Sequence, residues 1–169
     1  SGILTRGGTI LGTNNKCSPE KYYEGNDDNG KPIYTNAVDR CMANAQEYEL
    51  DVLFVIGGDG TFTCTKPLVE AGLPCLGVPK TIDNDIYGTD LTIGFTTATR
   101  IGTMALDRLH STGDSHHRVM VCELMGRNSG WLTLASGLAS GSDVILIPEI
   151  PFEIEKICEF VDGRRNERS

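Results

Sequence analysis

The sequence predicts an α/β fold: a mostly parallel sheet with helices on both faces, in a three-layer α/β/α arrangement. Three observations carry that expectation. From Leu50 onward, short apolar runs alternate with stretches of helical periodicity. The runs end in glycine-rich loops, and strand, helix, strand connections of this kind imply right-handed crossovers. Glycine makes up 20 of 169 residues, above the usual ~7%, and clusters in those loops.

The elements follow in order. Gly7-Gly8-Thr9-Ile10-Leu11-Gly12-Thr13 reads as a glycine-rich turn, and Tyr23 to Lys31 as a polar, acidic surface loop. Asn36 to Tyr48 predicts a helix capped by Asn36, with Val38, Cys41, Met42, Ala45 and Tyr48 inward. Asp51 to Ile56 is a buried strand ending at Gly57. Thr61 to Ala71 predicts a helix that Gly72 stops. Pro74 to Pro79 reads as a second strand, followed by a polar loop from Lys80 to Asp90. Ala98, Ile101, Met104, Ala105 and Leu109 mark a helix over Thr97 to Leu109. Val119 to Leu124 reads as a third strand, with Gly126 and Gly130 bracketing its exit loop. Trp131 to Ala139 is helical, with Trp131 expected in the core; Val144 to Ile147 is a fourth strand, and Phe152 to Val161 a last helix. There is no internal repeat or linker. The chain opens inside a loop and stops in a polar run after Gly163, as part of a larger protein would.

Composition excludes some classes. Fifteen Lys and Arg against 23 Asp and Glu leave a formal charge of −8, which argues against a basic nucleic-acid or anionic-membrane surface. No apolar run approaches a membrane span, and no leader opens the chain. Cys17, Cys41, Cys64, Cys75, Cys122 and Cys158 form no Cys-x-x-Cys pair. Reduced thiols in a cytoplasmic protein are the expectation.

Ligands of an open parallel sheet sit at the carboxyl ends of its strands, where this chain places three unusual loops. In Gly57-Gly58-Asp59-Gly60-Thr61 the glycines let backbone amides approach an anion at a helix start. No Walker Gly-Lys-Ser/Thr follows. Asp59 would repel a polyphosphate unless a cation stood between them, which implies Mg²⁺. The same pentapeptide also reads as a tight turn with Asp59 capping the helix. In Lys80-Thr81-Ile82-Asp83-Asn84-Asp85, either aspartate suits a general base on a hydroxyl, with Thr81 and Asn84 for orientation. An Asp/Asn turn stabilised by its own side chains is the alternative. In Met125-Gly126-Arg127 the guanidinium is placed to neutralise a transferring phosphoryl, or else pairs at the surface with Glu123 or Glu149. His116 and His117 read as a solvated turn rather than a metal site.

Together these loops closely resemble the 6-phosphofructokinase family. The carrying segments are GGTILGT (7–13), IGGDGT (56–61), PKTIDNDIYGTD (79–90), IGFTTA (93–98) and ELMGRNSGWL (123–132). Gly-Gly-Asp-Gly loops also occur in NAD and diacylglycerol kinases, but the TIDND and MGR motifs in this order are specific. The resemblance implies two similar α/β domains with the active site between them. It makes residues 1–169 most of a donor-binding lobe, with the start of the sugar-phosphate lobe from about 125. On that reading a first glycine loop upstream and the downstream sugar-phosphate ligands lie outside this chain, and the 169 residues alone should be inactive.

The resemblance also implies the chemistry: ATP-dependent phosphorylation of fructose 6-phosphate. Asp83 would take the proton from the 1-hydroxyl, with Thr81 and Arg127 beside the transferring phosphoryl. Gly58, Asp59, Gly60 and Thr61 would cradle the donor phosphates, with Asp59 holding Mg²⁺. Thr81, Ile82, Asp83, Met125, Gly126 and Arg127 would line the sugar site. Arg118 would reach the 6-phosphate in a neighbouring subunit, which implies a homo-oligomer. Donor choice rests on two residues. Gly60 goes with ATP, because an Asp there would crowd the α-phosphate, whereas Lys80 goes with pyrophosphate. ATP is the expectation, with pyrophosphate-dependent transfer as the alternative and a non-catalytic regulatory subunit as the second. The chain departs from bacterial members in having Thr13-Asn14-Asn15 where a nucleotide-contacting Arg is found. Lys16 is an imperfect substitute for a planar guanidinium. His110 replaces an effector-binding Arg, which argues against nucleotide activation of that type.

Overall fold

Polar residues dominate the first part of the chain, and only short elements form there. The computed structural model describes residues 2–10, 12–13 and 18–167, and it divides at the Val78–Pro79 junction into two units. Leu11, Asn14, Asn15, Lys16 and Cys17 lie outside the described residues, as do Arg168 and Ser169, so the expectations placed on them go no further.

In the first unit a 3₁₀ turn (Ile3–Thr5) precedes an antiparallel hairpin of β1 (Tyr22–Asn26) and β2 (Pro32–Thr35). This corrects the expected surface loop over Tyr23 to Lys31. Asp27 builds the turn: its Oδ1 accepts the N–H groups of Asn29 at 2.9 Å and Lys31 at 2.8 Å. Across the strands the Tyr23 and Tyr34 rings meet edge to face at 6.0 Å, and Lys21 Nζ stands 4.8 Å over Tyr34. In α1 (Val38–Glu47), Asn36 Oδ1 accepts the N–H of Val38 at 2.9 Å, so the predicted capping residue closes the entry turn from just outside the helix. Ala45 is buried, whereas Tyr48, expected inward, is 71% exposed.

β3 (Leu53–Gly57) leads into α2 (Asp59–Glu70), which begins earlier than predicted because Gly58, in extended backbone, is its N-cap. α2 packs on β3 and α1 on α2, around Val55 and Leu73. β4 (Cys75–Thr81) lies beside β3. Gly77 lets the Phe62 ring close on it; a Cβ there would stand 3.1 Å from the ring.

In the second unit the last residues of β4, Lys80 and Thr81, pair in parallel with Ile93 and Gly94 of β5 (Ile93–Gly94). α3 (Phe95–His116) outruns its predicted span at both ends and closes on His117 in the left-handed region, φ 52°. It packs against α4 (Trp131–Ser140). The approach is close because Gly102 faces Ser136, which is fully buried. His110 Nε2 donates to the Ser140 carbonyl at 2.8 Å, further tying the two helices. α5 (Ile154–Glu167) follows.

Two expected strands are corrected. Val119 to Leu124 and Val144 to Ile147 join no ladder among the described residues. A strand needs a neighbour for its N–H and C=O groups; Val121 is instead 91% exposed. Trp131, expected in the core, is 53% exposed at the first position of α4. The class nevertheless stands: an α/β chain whose described sheet runs β3-β4-β5. Among the described residues no helix is long and apolar enough to cross a membrane. Cys41, Cys64, Cys75, Cys122 and Cys158 are all free thiols.

The α3–α4 contact yields a direct test. A Cβ on Gly102 would lie 2.6 Å from Ser136 Oγ. Gly102→Ala should therefore destabilise the full-length protein by about 1–3 kcal/mol in denaturant unfolding, although alanine favours helix by about 1 kcal/mol. Combining it with Ser136→Gly should relieve the clash, and additive losses would refute the contact.

Candidate active site

The first unit contributes the turn from β3 into α2. Gly57 is buried at the strand end, and a Cβ there would collide with the Thr61 side chain. The Gly58 carbonyl accepts the N–H groups of Thr61 at 3.0 Å and Phe62 at 3.1 Å, starting the helix. The first N–H groups of α2 have no intrahelical acceptor, so the helix start presents donors and the positive end of its dipole. Asp59 is exposed in that first turn and caps nothing: Gly58 is the N-cap and no side chain bonds there. Gly60 and Thr61 are exposed too, and a Cβ on Gly60 would meet open space.

The second unit contributes three pieces. The loop leaving β4 holds Thr81, Ile82, Asp83 and Asn84, all half-buried, while Lys80 is exposed on the strand. Thr81 Oγ1 accepts the Asp83 N–H at 3.2 Å. Asn84 takes a left-handed backbone, φ 51°, which asparagine tolerates better than most residues. Its Oδ1 accepts the Thr92 N–H at 2.9 Å, and its Nδ2 donates to the Asp90 carbonyl at 3.4 Å. Asp83 Oδ1 is buried and has no hydrogen-bond partner among the described residues. Asp85, its companion in the motif, is exposed. The local side-chain bond of this turn is thus made by Thr81 rather than by an Asp or Asn, Asn84 spans the loop to Asp90 and Thr92, and Asp83 Oδ1 stays outside this bonding.

The Met125-Gly126-Arg127 loop comes second. Met125 and Arg127 are exposed, and Arg127 makes no ion pair among the described residues. The expected alternative pairing fails at Glu149, whose Oε1 accepts the Gly130 N–H at 2.7 Å and so holds the start of α4. Gly126 has φ 130°, and a Cβ there would collide with the Ser129 carbonyl and stand 3.9 Å from Asp83 Oδ1. The loop thus passes directly beside the aspartate. Ser129, buried, donates from Oγ to the Asp83 carbonyl at 2.6 Å. Arg118 is exposed, just beyond the end of α3, and its N–H bonds the Gly113 carbonyl at 2.9 Å.

So the second unit brings together Thr81, Ile82, Asp83, Met125, Gly126 and Arg127, and the first unit holds Gly58, Asp59, Gly60 and Thr61. Sequence reading missed Thr92 and Ser129. Ser129 sat inside a quoted motif and Thr92 in the two-residue gap between two others, but a lone hydroxyl residue carries no signal of its partner. Among the described residues no three His, Cys, Asp or Glu side chains cluster to hold a metal. An exposed carboxylate at a helix start fits a hard cation that takes one protein oxygen and fills its shell with phosphate oxygens and water.

A family model described as Phosphofructokinase matches residues 1–169. The ATP-dependent 6-phosphofructokinase 2 of Clostridium perfringens is 52% identical over 164 residues, covering 97% of this chain and 44% of the relative. The chain therefore spans less than half the length of that relative. Among solved structures, Pichia pastoris phosphofructokinase in the T-state matches with a TM-score of 0.69 and 27% identity, over 76% of this chain and 15% of that one. A pyrophosphate-dependent phosphofructokinase from Marinobacter aquaeolei matches with a TM-score of 0.62 and 30% identity, over 81% of this chain and 39% of that one.

The two loop glycines of the first unit should separate cleanly. Gly57→Ala, which drives a methyl into Thr61, should destabilise the full-length protein by about 1–3 kcal/mol. Gly60→Asp, facing open space in a helical first turn that favours acidic residues, should leave the unfolding midpoint within about 0.5 kcal/mol of the parent or raise it. Equal losses at both positions would contradict this placement of the turn.

Proposed function

The chain belongs to the phosphofructokinase family, and we propose that the protein transfers the γ-phosphoryl of ATP to the 1-hydroxyl of fructose 6-phosphate. The observation that carries this reading is the Asp83 carboxylate. It has a buried oxygen beside the MGR loop with no partner among the described residues, while the N–H and C=O of Asp83 are both bonded. A general base needs that combination of fixed position and free acceptor. The naming of the Clostridium relative as ATP-dependent supports the donor.

In this mechanism Asp83 takes the proton of the 1-hydroxyl as that oxygen bonds the γ-phosphorus and the bond to the bridging oxygen of ADP breaks. Arg127, exposed and without an ion-pair partner among the described residues, is available to neutralise charge on the transferring group, with Thr81 donating its hydroxyl. Met125, Gly126 and Ile82 shape the sugar site. Gly58 and Gly60 would offer backbone donors at the start of α2, with Thr61 in the same turn, and Asp59 would hold Mg²⁺. When bound, the ion neutralises donor phosphate charge. Arg118 would serve the 6-phosphate of a neighbouring subunit in a homo-oligomer. We place the donor-binding lobe first, with the sugar-phosphate lobe starting near residue 125, in a cytoplasmic enzyme.

Lys80 favours a second reading. It is exposed on β4 next to Thr81, where an ammonium would suit a pyrophosphate leaving group, and the Marinobacter neighbour is pyrophosphate-dependent. The open space at Gly60 tips the balance to ATP, because room there is what a nucleotide needs. A silent regulatory subunit is disfavoured, since it would not require base, metal ligand and arginine together.

In the full-length enzyme Asp83→Ser should lower kcat by about 10²–10⁴-fold; undiminished turnover would end the assignment. A donor comparison should give the higher kcat/KM with ATP than with pyrophosphate. Gly60→Asp should move that preference away from ATP, and unchanged ATP use would defeat the steric argument.

A further inference from the structure

We propose that Thr92 and Ser129 are positioning residues for Asp83, two buried hydroxyls that clamp the backbone on either side of it and leave its carboxylate uncommitted. The inference rests on the reading of Asp83 as the base.

Thr92 is 2% exposed and Ser129 is 6% exposed. Thr92 Oγ1 lies 2.8 Å from the Thr81 carbonyl and 3.3 Å from Asn84 Oδ1. A hydroxyl carries one hydrogen, and the shorter contact takes it. Asn84 Oδ1 is served instead by the Thr92 N–H at 2.9 Å. One residue thus binds the chain before Asp83 with its side chain and the residue after it with its backbone. Ser129 Oγ spends its single hydrogen on the Asp83 carbonyl at 2.6 Å, and Thr81 Oγ1 accepts the Asp83 N–H. Both main-chain groups of Asp83 are therefore engaged.

The consequence lies in what remains. A buried carboxylate oxygen without a partner is costly, and a flexible loop would turn it toward the nearest donor. Ser129 brings a hydroxyl from the Arg127 loop to the Asp83 main chain, but its hydrogen is committed to the carbonyl. The clamp therefore fixes the aspartate and also keeps a neighbouring hydroxyl from neutralising it. It further ties the Met125 to Ser129 loop to the backbone of Asp83, setting that loop's approach to the carboxylate.

The test is steady-state kinetics of the full-length enzyme with ATP and fructose 6-phosphate, on Thr92→Val, Thr92→Ser, Ser129→Ala and Asp83→Ser. Thr92→Val keeps the shape and loses the hydroxyl; Thr92→Ser keeps the hydroxyl. Displacing a base by part of an ångström should lower kcat by about 10–100-fold in Thr92→Val and in Ser129→Ala, with KM for ATP within about twofold of the parent. Thr92→Ser should recover kcat to within about threefold of the parent by the same positioning argument. Should Thr92→Val not fold, Ser129→Ala, which deletes one atom, decides. Parent-like kcat in Ser129→Ala and in folded Thr92→Val, with Asp83→Ser inactive, overturns the clamp alone. So does a Thr92→Ser enzyme as slow as Thr92→Val. A fully active Asp83→Ser enzyme removes the base itself, and the inference with it.

Discussion

Parallel neighbours in a sheet are ordinarily joined by a long crossover, usually a helix that packs on the sheet face. The β4–β5 pair has no such helix: residues 82–92 return the chain directly, and the pairing it supports is only Lys80 with Ile93 and Thr81 with Gly94. So short a ladder cannot hold the loop, and the hydrogen bonds of Thr92, Asn84 and Ser129 must do so. Everything proposed for Asp83 depends on that substitution of side-chain bonds for a packed crossover. The buried unpartnered oxygen can persist only because the backbone beneath it is over-determined, the usual condition for strain held at a functional site.

For a chain of net charge −8, the phosphate handling proposed above is a local problem set against its own field. The solution suggested by the first unit is neutral and directional. The turn at Gly57 and Gly58 opens α2 with backbone donors, and the one charged group there, Asp59, is exposed and acidic. On the proposed function, an acid at that place would repel bare phosphate and attract a cation, and so would favour a cation-bound polyphosphate. In the proposed function Arg127 would supply positive charge, and Glu149, one of the two acids that sequence reading offered it, is engaged with the Gly130 N–H instead.

What could be read in advance was what depends on neighbours in sequence. α2 and α4 follow from apolar periodicity and flanking glycines, and the Asp83 loop from its crowded Asp and Asn residues. The hairpin of β1 and β2 escaped because its polar residues outweighed the better signal, Tyr22-Tyr23 and Ile33-Tyr34 on either side of an Asp-Asp-Asn-Gly turn. Val119 to Leu124 misled in the opposite direction. Its composition is that of a strand, but a strand is a relation between two segments, and no partner lies beside it among the described residues. Thr92 and Ser129 were invisible for the same reason, since their importance lies in acceptors 11 and 46 residues away.

The glycines of the motifs carry a further distinction that sequence alone conceals. Gly57 and Gly126 are required by the chain itself: a Cβ would strike Thr61 in one case and the Ser129 carbonyl in the other, and Gly126 also needs a positive φ. Gly130 is likewise closed in by Ile147 and Glu149. Gly60 is different. Among the described residues nothing crowds it, its φ is not positive, and it sits in a helical turn where glycine is a poor choice by about 1 kcal/mol against alanine. No contact among the described residues calls for a glycine at that position. The proposed function gives it a use: a phosphate coming close to the backbone beside Asp59 at the start of a helix would gain from the missing side chain. The donor reading thus rests on a glycine that no contact among the described residues requires.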